Sequence, residues 1–400
     1  MASRTTQNLH NALAGESGAT PDKMEKAGFV HLHLHSAFSL LEGALPIKKV
    51  IDLAVKDNQP AVAITDRNNM FGALEFSEKA INEGLQPVMG CKIAVNFQDG
   101  NDHVPRSGHV EYPYLVFLAL DEEGFSNLKK LVSHAHTESG EGEVPHVTLD
   151  ELNRLNAGII CLTGYNEGPV NKLINDGRND DAEMRLEALK SIYGDRLYVE
   201  LQRHERYDRA LENTLLKLAY AKEIAIVATN QPFFPKRDDF EAHDALICIA
   251  EGAVVNMEDR RRLTRDHYFK SQSEMIALFS DLPEAIENTI VISKRICFRE
   301  TTTNPILPRF TESELNAAPE VALQAEYDEL VSPTPPVEEA AEAQAEPEAE
   351  VVEADDGRDV VARRGVASGR SQGKVRGRSE ARCQEGLYAC EQLQERCGGA

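Results

Sequence analysis

Short, nearly unbroken apolar runs recur along this chain, and most are followed by a longer stretch with helical periodicity. The runs cover residues 60–65, 87–97, 112–120, 158–162, 196–202 and 224–229. The helical stretches cover 44–56, 71–82, 125–136, 181–193, 208–222, 240–250, 273–279 and 283–296. A strand that is apolar on both sides must be covered on both sides, and such strands are usually parallel. Their alternation with helices predicts an α/β fold, either an open sheet or a distorted β/α barrel. Thr148-x-x-Glu151 has the form of a capping box that opens a further short helix.

One more stretch, Phe29-Val30-His31-Leu32-His33-Leu34-His35-Ser36, alternates strictly. It predicts a first strand with Val30, Leu32 and Leu34 on one face and His31, His33 and His35 on the other. Imidazoles two residues apart on one face can reach a single divalent ion, and imidazole suits zinc, iron or manganese. The plainer reading is a half-buried strand whose polar face happens to be histidine. Other polar residues fall where strands end: Asp66, His204 and Asn230. Barrel enzymes place their chemistry at that end.

Taken together, these stations resemble the N-terminal PHP (polymerase and histidinol phosphatase) domain of bacterial DNA polymerase III alpha subunits. The resemblance is carried by 29–36, by Phe38-Ser-Leu-Leu-Glu-Gly43 and by Ala63-Ile-Thr-Asp-Arg-Asn-Asn69 with Phe71-Gly-Ala73. It continues through Gln86-Pro-Val-Met-Gly90, 119–128, Glu200-Leu-Gln202 and Val227-Ala-Thr-Asn230, so that it spans about 29–309. It implies a seven-stranded distorted barrel over 29–310, a disordered lead-in over 1–28 and the start of a linker over 311–331.

In metal-competent members the resemblance implies a cluster of metals held by side chains around these strand ends. Five positions keep a ligand type: His33, His35, Glu42, Asp66 and His204. Six do not. Arg67 stands for a histidine, Lys92 for an acid, Tyr114 for a histidine and Tyr165 for a cysteine, while Gln231 and Phe233 stand for an aspartate and a histidine. Arginine has no lone pair to give. At ~4 Å and an effective dielectric near ~20, each added cation would repel a divalent ion by several kcal/mol. The expectation is therefore a vestigial site with no catalytic residue, in which Arg67 and Lys92 replace the metals and pair with Asp66 and Glu42. At most one residual ion, zinc, would sit on His33, His35 and His204.

The net charge of −23 makes the chain a poor binder of nucleic acid on its own, so contact with DNA is expected only indirectly. The resemblance implies as partners the other polymerase III holoenzyme subunits: the proofreading exonuclease subunit, and the sliding clamp through the full-length protein. Nucleotidyl transfer needs aspartates holding magnesium. In the family those belong to a palm domain beyond the PHP part, so the chain reads as a truncated alpha subunit. A PHP phosphoesterase acting alone is the alternative.

No apolar run approaches the ~18 residues of a membrane helix, and 1–26 lack the apolar core of a secretory signal. Seven cysteines without a CxxC pair fit a reducing cytoplasm, with Cys91, Cys161, Cys248 and Cys297 expected as buried thiols. From 332 the chain passes from Pro/Ala/Glu-rich to Arg/Gly/Ser-rich sequence, which cannot build a core and predicts a disordered tail over 332–400. That change of composition near 360 is read either as a genuine two-block tail or as a single-base frameshift. His103, His109, His134, His136 and His146 match no ligand motif and are expected to be solvated.

Overall fold

The structure, a computed structural model, describes residues 28–98, 111–140, 142–205, 207–257 and 259–303. The lead-in before residue 28, the polar loop 99–108, His103, His109, the linker, the 332–400 tail and its cysteines lie outside the described residues.

Seven strands form one mixed sheet: β1 (Ala61–Arg67), β2 (Gln86–Asn96), β3 (Tyr114–Ala119), β4 (His146–Thr148), β5 (Ile159–Leu162), β6 (Leu197–Gln202) and β7 (Ala225–Thr229). Their order is β1-β2-β3-β5-β6-β7, with β4 paired to the far end of β2. The sheet curls into a half-barrel. Among the described residues ten helices accompany it: α1 (Ile47–Lys56), α2 (Ala73–Asn82), α3 (Glu122–Thr137), α4 (Leu149–Arg154), α5 (Pro169–Asn175), α6 (Asn179–Tyr193), α7 (Arg209–Ala221), α8 (Phe240–Glu251), α9 (Gln272–Leu278) and α10 (Pro283–Arg295).

Adjacent residues of each central strand enter different parts of the core. Val116, Ile160, Tyr198 and Val227 join one apolar cluster with Ile292 of α10. Their neighbours Phe117, Cys161, Val199 and Ile226 join another, with Leu131 of α3, Leu186 of α6 and Leu215 of α7. Both faces of the strands are thus covered, which is why their sequence reads as solid apolar runs. Helix α1 buries Ile47, Val50, Ile51 and Ala54, a spacing that lays one stripe along its side. The Thr148–Glu151 capping box is present at the start of α4.

Three expectations need correction. The sheet is not all parallel, because β3 runs antiparallel to both β2 and β5. Apolar runs reveal burial but not direction. The histidine stretch is extended but is not a ladder strand, and the seventh strand is the short β4 instead. His31 O and Leu34 O accept from Ala63 N and Thr65 N of β1, whereas His35 N donates to Pro232 O beyond β7. The stretch therefore spans the gap between the two ends of the open sheet, and both of its faces are buried. Finally, Cys297 is exposed, although Cys91, Cys161 and Cys248 are buried.

Candidate functional site

Side chains converge where β1, β2, β6 and β7 end and β3 begins. Because β3 is reversed, its first residue, Tyr114, sits at the end of the sheet where its neighbours finish. Arg67 of β1 lies beside Lys92 of β2 in register. Loops supply the rest: Glu42 after the histidine stretch, Tyr165 and Glu167 after β5, His204 after β6, and Gln231 and Phe233 after β7. Four non-glycine residues in these loops have left-handed backbones: Leu41 (φ 62°), Asn68 (φ 52°), Tyr165 (φ 43°) and Gln231 (φ 49°). Such conformations are costly for residues with a Cβ and concentrate where packing over-determines the chain. Gly43 is required by close approach, since a Cβ there would lie 1.8 Å from Ser36 O. His243 of α8 steadies the same loop by donating from Nε2 to Glu42 O at 2.6 Å.

The histidine half of the site is held by hydrogen bonds. Asp66 accepts from Ser36 N at 2.7 Å, from the Ser36 hydroxyl at 2.6 Å and from the Ser39 hydroxyl at 2.6 Å. Burial raises its carboxyl pKa, against the lowering effect of those bonds. With Ser39 donating to Asp66, His35 Nδ1 donates to Ser39 Oγ at 2.8 Å. That fixes the tautomer and leaves His35 Nε2 as an acceptor, which takes the Gln231 amide at 3.2 Å. Phe233 stacks on the same imidazole, with 4.3 Å between ring centres. His33 Nδ1 donates to Glu200 at 2.6 Å, which leaves its Nε2 buried and unpartnered. Glu200 also accepts from Gly164 N, Gln202 and Thr229. Burial opposes its charge, but His33 and these donors bring the pKa down to about 2.

His204 donates from Nε2 to Asn230 O at 2.9 Å and stacks on His267 at 3.8 Å. It lines a cavity of about 230 Å³ with Tyr165, Glu167, Gln231, Phe233 and His267. The Tyr165 hydroxyl is buried without a partner. His31 turns away from this group: it packs on Phe29 and Phe269, and its Nε2 donates to Lys270 O at 2.8 Å.

The other half is ionic. Arg67 Nε binds Glu42 at 2.8 Å, and its Nη2 reaches both oxygens of Glu167 at 3.1 Å. The fully buried Lys92 ammonium pairs with Oε2 of the same Glu167 carboxylate. Arg261 reaches Glu42 at 2.6 Å. The Tyr114 ring lies under the Arg67 guanidinium at 4.3 Å, within reach of a cation–π attraction. Burial works against the Arg67 charge, yet Glu167 and Glu42 hold its pKa well above the ordinary range. Burial likewise opposes the Glu167 charge, and Arg67, Lys92 and Arg261 hold its carboxyl well below its usual value. Lys92 is lowered by burial, which its pairing with Glu167 only partly offsets.

Arg67 does pair with Glu42. Lys92, however, pairs with Glu167, and Asp66 is satisfied by serines rather than by either cation. Sequence reasoning missed Glu167, Arg261, Ser36 and Ser39. Ser36 and Ser39 lay inside the motif segments. Glu167 sits in a Gly-Tyr-Asn-Glu-Gly turn and Arg261 in a run of three arginines, neither of which carries a ligand signature.

Residues 31–204 match the PHP domain family. This chain carries a PHP domain. The DNA polymerase III subunit alpha of Caulobacter vibrioides is 42% identical over 303 residues, covering 75% of this chain and 26% of that protein. The subunit alpha of Rickettsia bellii is 36% identical over 289 residues, covering 72% and 24%. The PHP domain here is therefore similar to that of polymerase III alpha subunits, and the chain spans about a quarter of the length of these relatives. An amidohydrolase structure from Chromobacterium violaceum, 16% identical, covers 50% of this chain and 86% of its own with a TM-score of 0.32, too slight a likeness to carry an argument.

The metal cluster implied by the family does not fit the residues of this PHP domain. Two cations stand among the ligand positions, and the Gln231 amide is bonded to the one lone pair His35 has left. Among the described residues, no three donors drawn from His33, His35, Glu42, Asp66 and His204 all lie within 4.8 Å of one another.

Proposed function

We propose that this chain provides the PHP portion of a DNA polymerase III alpha subunit and acts in DNA replication as a structural and interaction module rather than as a hydrolase. The observation that carries this reading is the ion-pair core itself. Arg67 and Lys92 occupy ligand positions, and Glu42 and Glu167 neutralise them. A buried charge with a good partner holds loops in one arrangement, which is a structural service that needs no substrate. The reading places the chain in the cytoplasm, in contact with the proofreading exonuclease subunit, and with the sliding clamp and DNA only through the full-length polymerase. Among the described residues no helix is long and apolar enough to cross a membrane.

One observation favours the second reading, a metal-dependent phosphoesterase: the unpartnered His33 Nε2 inside the site. The two separate in one experiment. The chain is assayed for p-nitrophenyl phosphate hydrolysis with zinc or manganese added, and for complex formation with the exonuclease subunit by gel filtration. Hydrolysis at buffer level with a stable complex is expected. Metal-dependent turnover that disappears in His33→Ala would overturn the module reading in favour of the hydrolase. Failure to bind the exonuclease subunit would remove the interaction role assigned here.

A further inference from the structure

A second cluster of metal-binding side chains lies on the helices beside β4 and shares no residue with the strand-end site. His134 and Glu138 stand one turn apart at the end of α3, and Glu151 comes from the first turn of α4. Among the described residues these three alone bring one donor atom each within 4.8 Å of one another.

The Glu151 carboxylate is fixed before any ligand arrives. One oxygen is tied down by the capping box, accepting from Thr148 N at 2.8 Å and from its hydroxyl at 2.9 Å. The other oxygen lies 3.1 Å from His134 Nδ1. That separation is close to the spacing between two ligands of one tetrahedral ion with bonds near ~2.1 Å. Glu138, the C-cap residue of α3, is exposed and free to swing in as the third ligand. The C-terminus of this 16-residue helix also favours positive charge at that place.

We infer that His134, Glu138 and Glu151 form a divalent-cation site of the zinc type, with water at the fourth position. One imidazole and two carboxylates suit zinc better than calcium, which prefers six or more oxygens. An ion bound there would replace the direct contact between His134 Nδ1 and Glu151. The site is independent of the polymerase reading, because it uses none of the residues on which that reading rests.

Cobalt(II) is the probe, used with the full chain as a spectroscopic stand-in for zinc. The wild-type chain should bind one more equivalent than either Glu138→Gln or His134→Ala, and that equivalent should show visible bands without thiolate charge transfer. It should persist in His33→Ala. Glu138 is exposed at a helix end, so Glu138→Gln keeps the fold, which circular dichroism checks. Equal cobalt binding in wild type and Glu138→Gln would overturn the proposal. So would an equivalent that carries a thiolate signature, or one that is lost in His33→Ala instead.

Discussion

The two halves of the strand-end site solve the same problem in different ways. In the histidine half, ligand-type residues are retained, and they are kept neutral or satisfied by hydrogen bonds from serine, glutamine and backbone. In the ionic half two cations, Arg67 and Lys92, stand at ligand positions, and with Arg261 they are matched against the carboxylates of Glu42 and Glu167. The first half resembles a hydrogen-bonded core and the second a buried salt bridge. One end of a sheet can therefore be closed in two physically different ways. Around the imidazoles the closure is by hydrogen bonds, Glu200 included; around the cations it is by acids from separate loops.

That contrast is most strongly tested by pH. His31 and His204 are buried with pKa values lowered to about 4, desolvation being the chief cause, and His33 and His35 are lowered too. A base whose folded pKa lies below its unfolded value of about 6.5 contributes stability in full above 6.5 and loses it as pH falls toward the folded value. From pH 7 to pH 5, His31 and His204 together should remove on the order of 4 kcal/mol. The Glu42 and Glu167 carboxyls have lowered pKa values, so the ionic half should stay intact through that window. Urea midpoints at pH 7 and pH 5 measure this, and equal midpoints would refute the neutral-histidine account.

Next in size is Glu167→Ala. It strands Lys92, which is fully buried, and removes one of the two carboxylates on Arg67. A loss of about 3 kcal/mol is expected from leaving a buried charge uncompensated. A thermal unfolding midpoint within a degree of wild type would show the pair to be idle.

Ser39→Ala probes the other half. It removes a donor to Asp66 and the acceptor for His35 Nδ1. About 1–2 kcal/mol should be lost, since each group left unsatisfied is buried. If Ser39→Ala costs more than Glu167→Ala, the ranking of the two halves is reversed.

The smallest effect should come from Lys92→Met. An apolar side chain of similar length replaces a buried charge, and Glu167 keeps Arg67. Such replacements are often neutral or stabilising, so a change within about 1 kcal/mol is expected in chemical unfolding. A loss as large as that of Glu167→Ala would mean that the ammonium itself, rather than its compensation, holds the loops.

Much of this was legible in the sequence. The strand–helix alternation pointed to the α/β class because both faces of each central strand are covered, and the family resemblance added the distorted barrel. The residue types at ligand positions identified Arg67, Lys92 and Gln231 as the ones to watch. What could not be read is what depends on direction and on loops. Nothing in the run 114–119 marks it as antiparallel, since burial alone shapes its composition. The histidine stretch alternates like a strand, yet its backbone partners are divided between β1 and the segment after β7. Glu167 and Arg261 meet only because separate loops cross at one end of the sheet.

The seat of the histidine stretch has a consequence for how the domain is made. Phe29 N and Val30 N donate to Gln272 and Thr289, and His31 donates to Lys270, across 239–259 residues of chain. Such distant contacts come late and slow folding, because the intervening loop must close first. On the ribosome, Phe29 and Val30 would emerge before α9 and α10 and wait for them before their backbone could dock. Until then the two open ends of the sheet have nothing between them, and the nascent chain must keep those edges from pairing with a neighbour's.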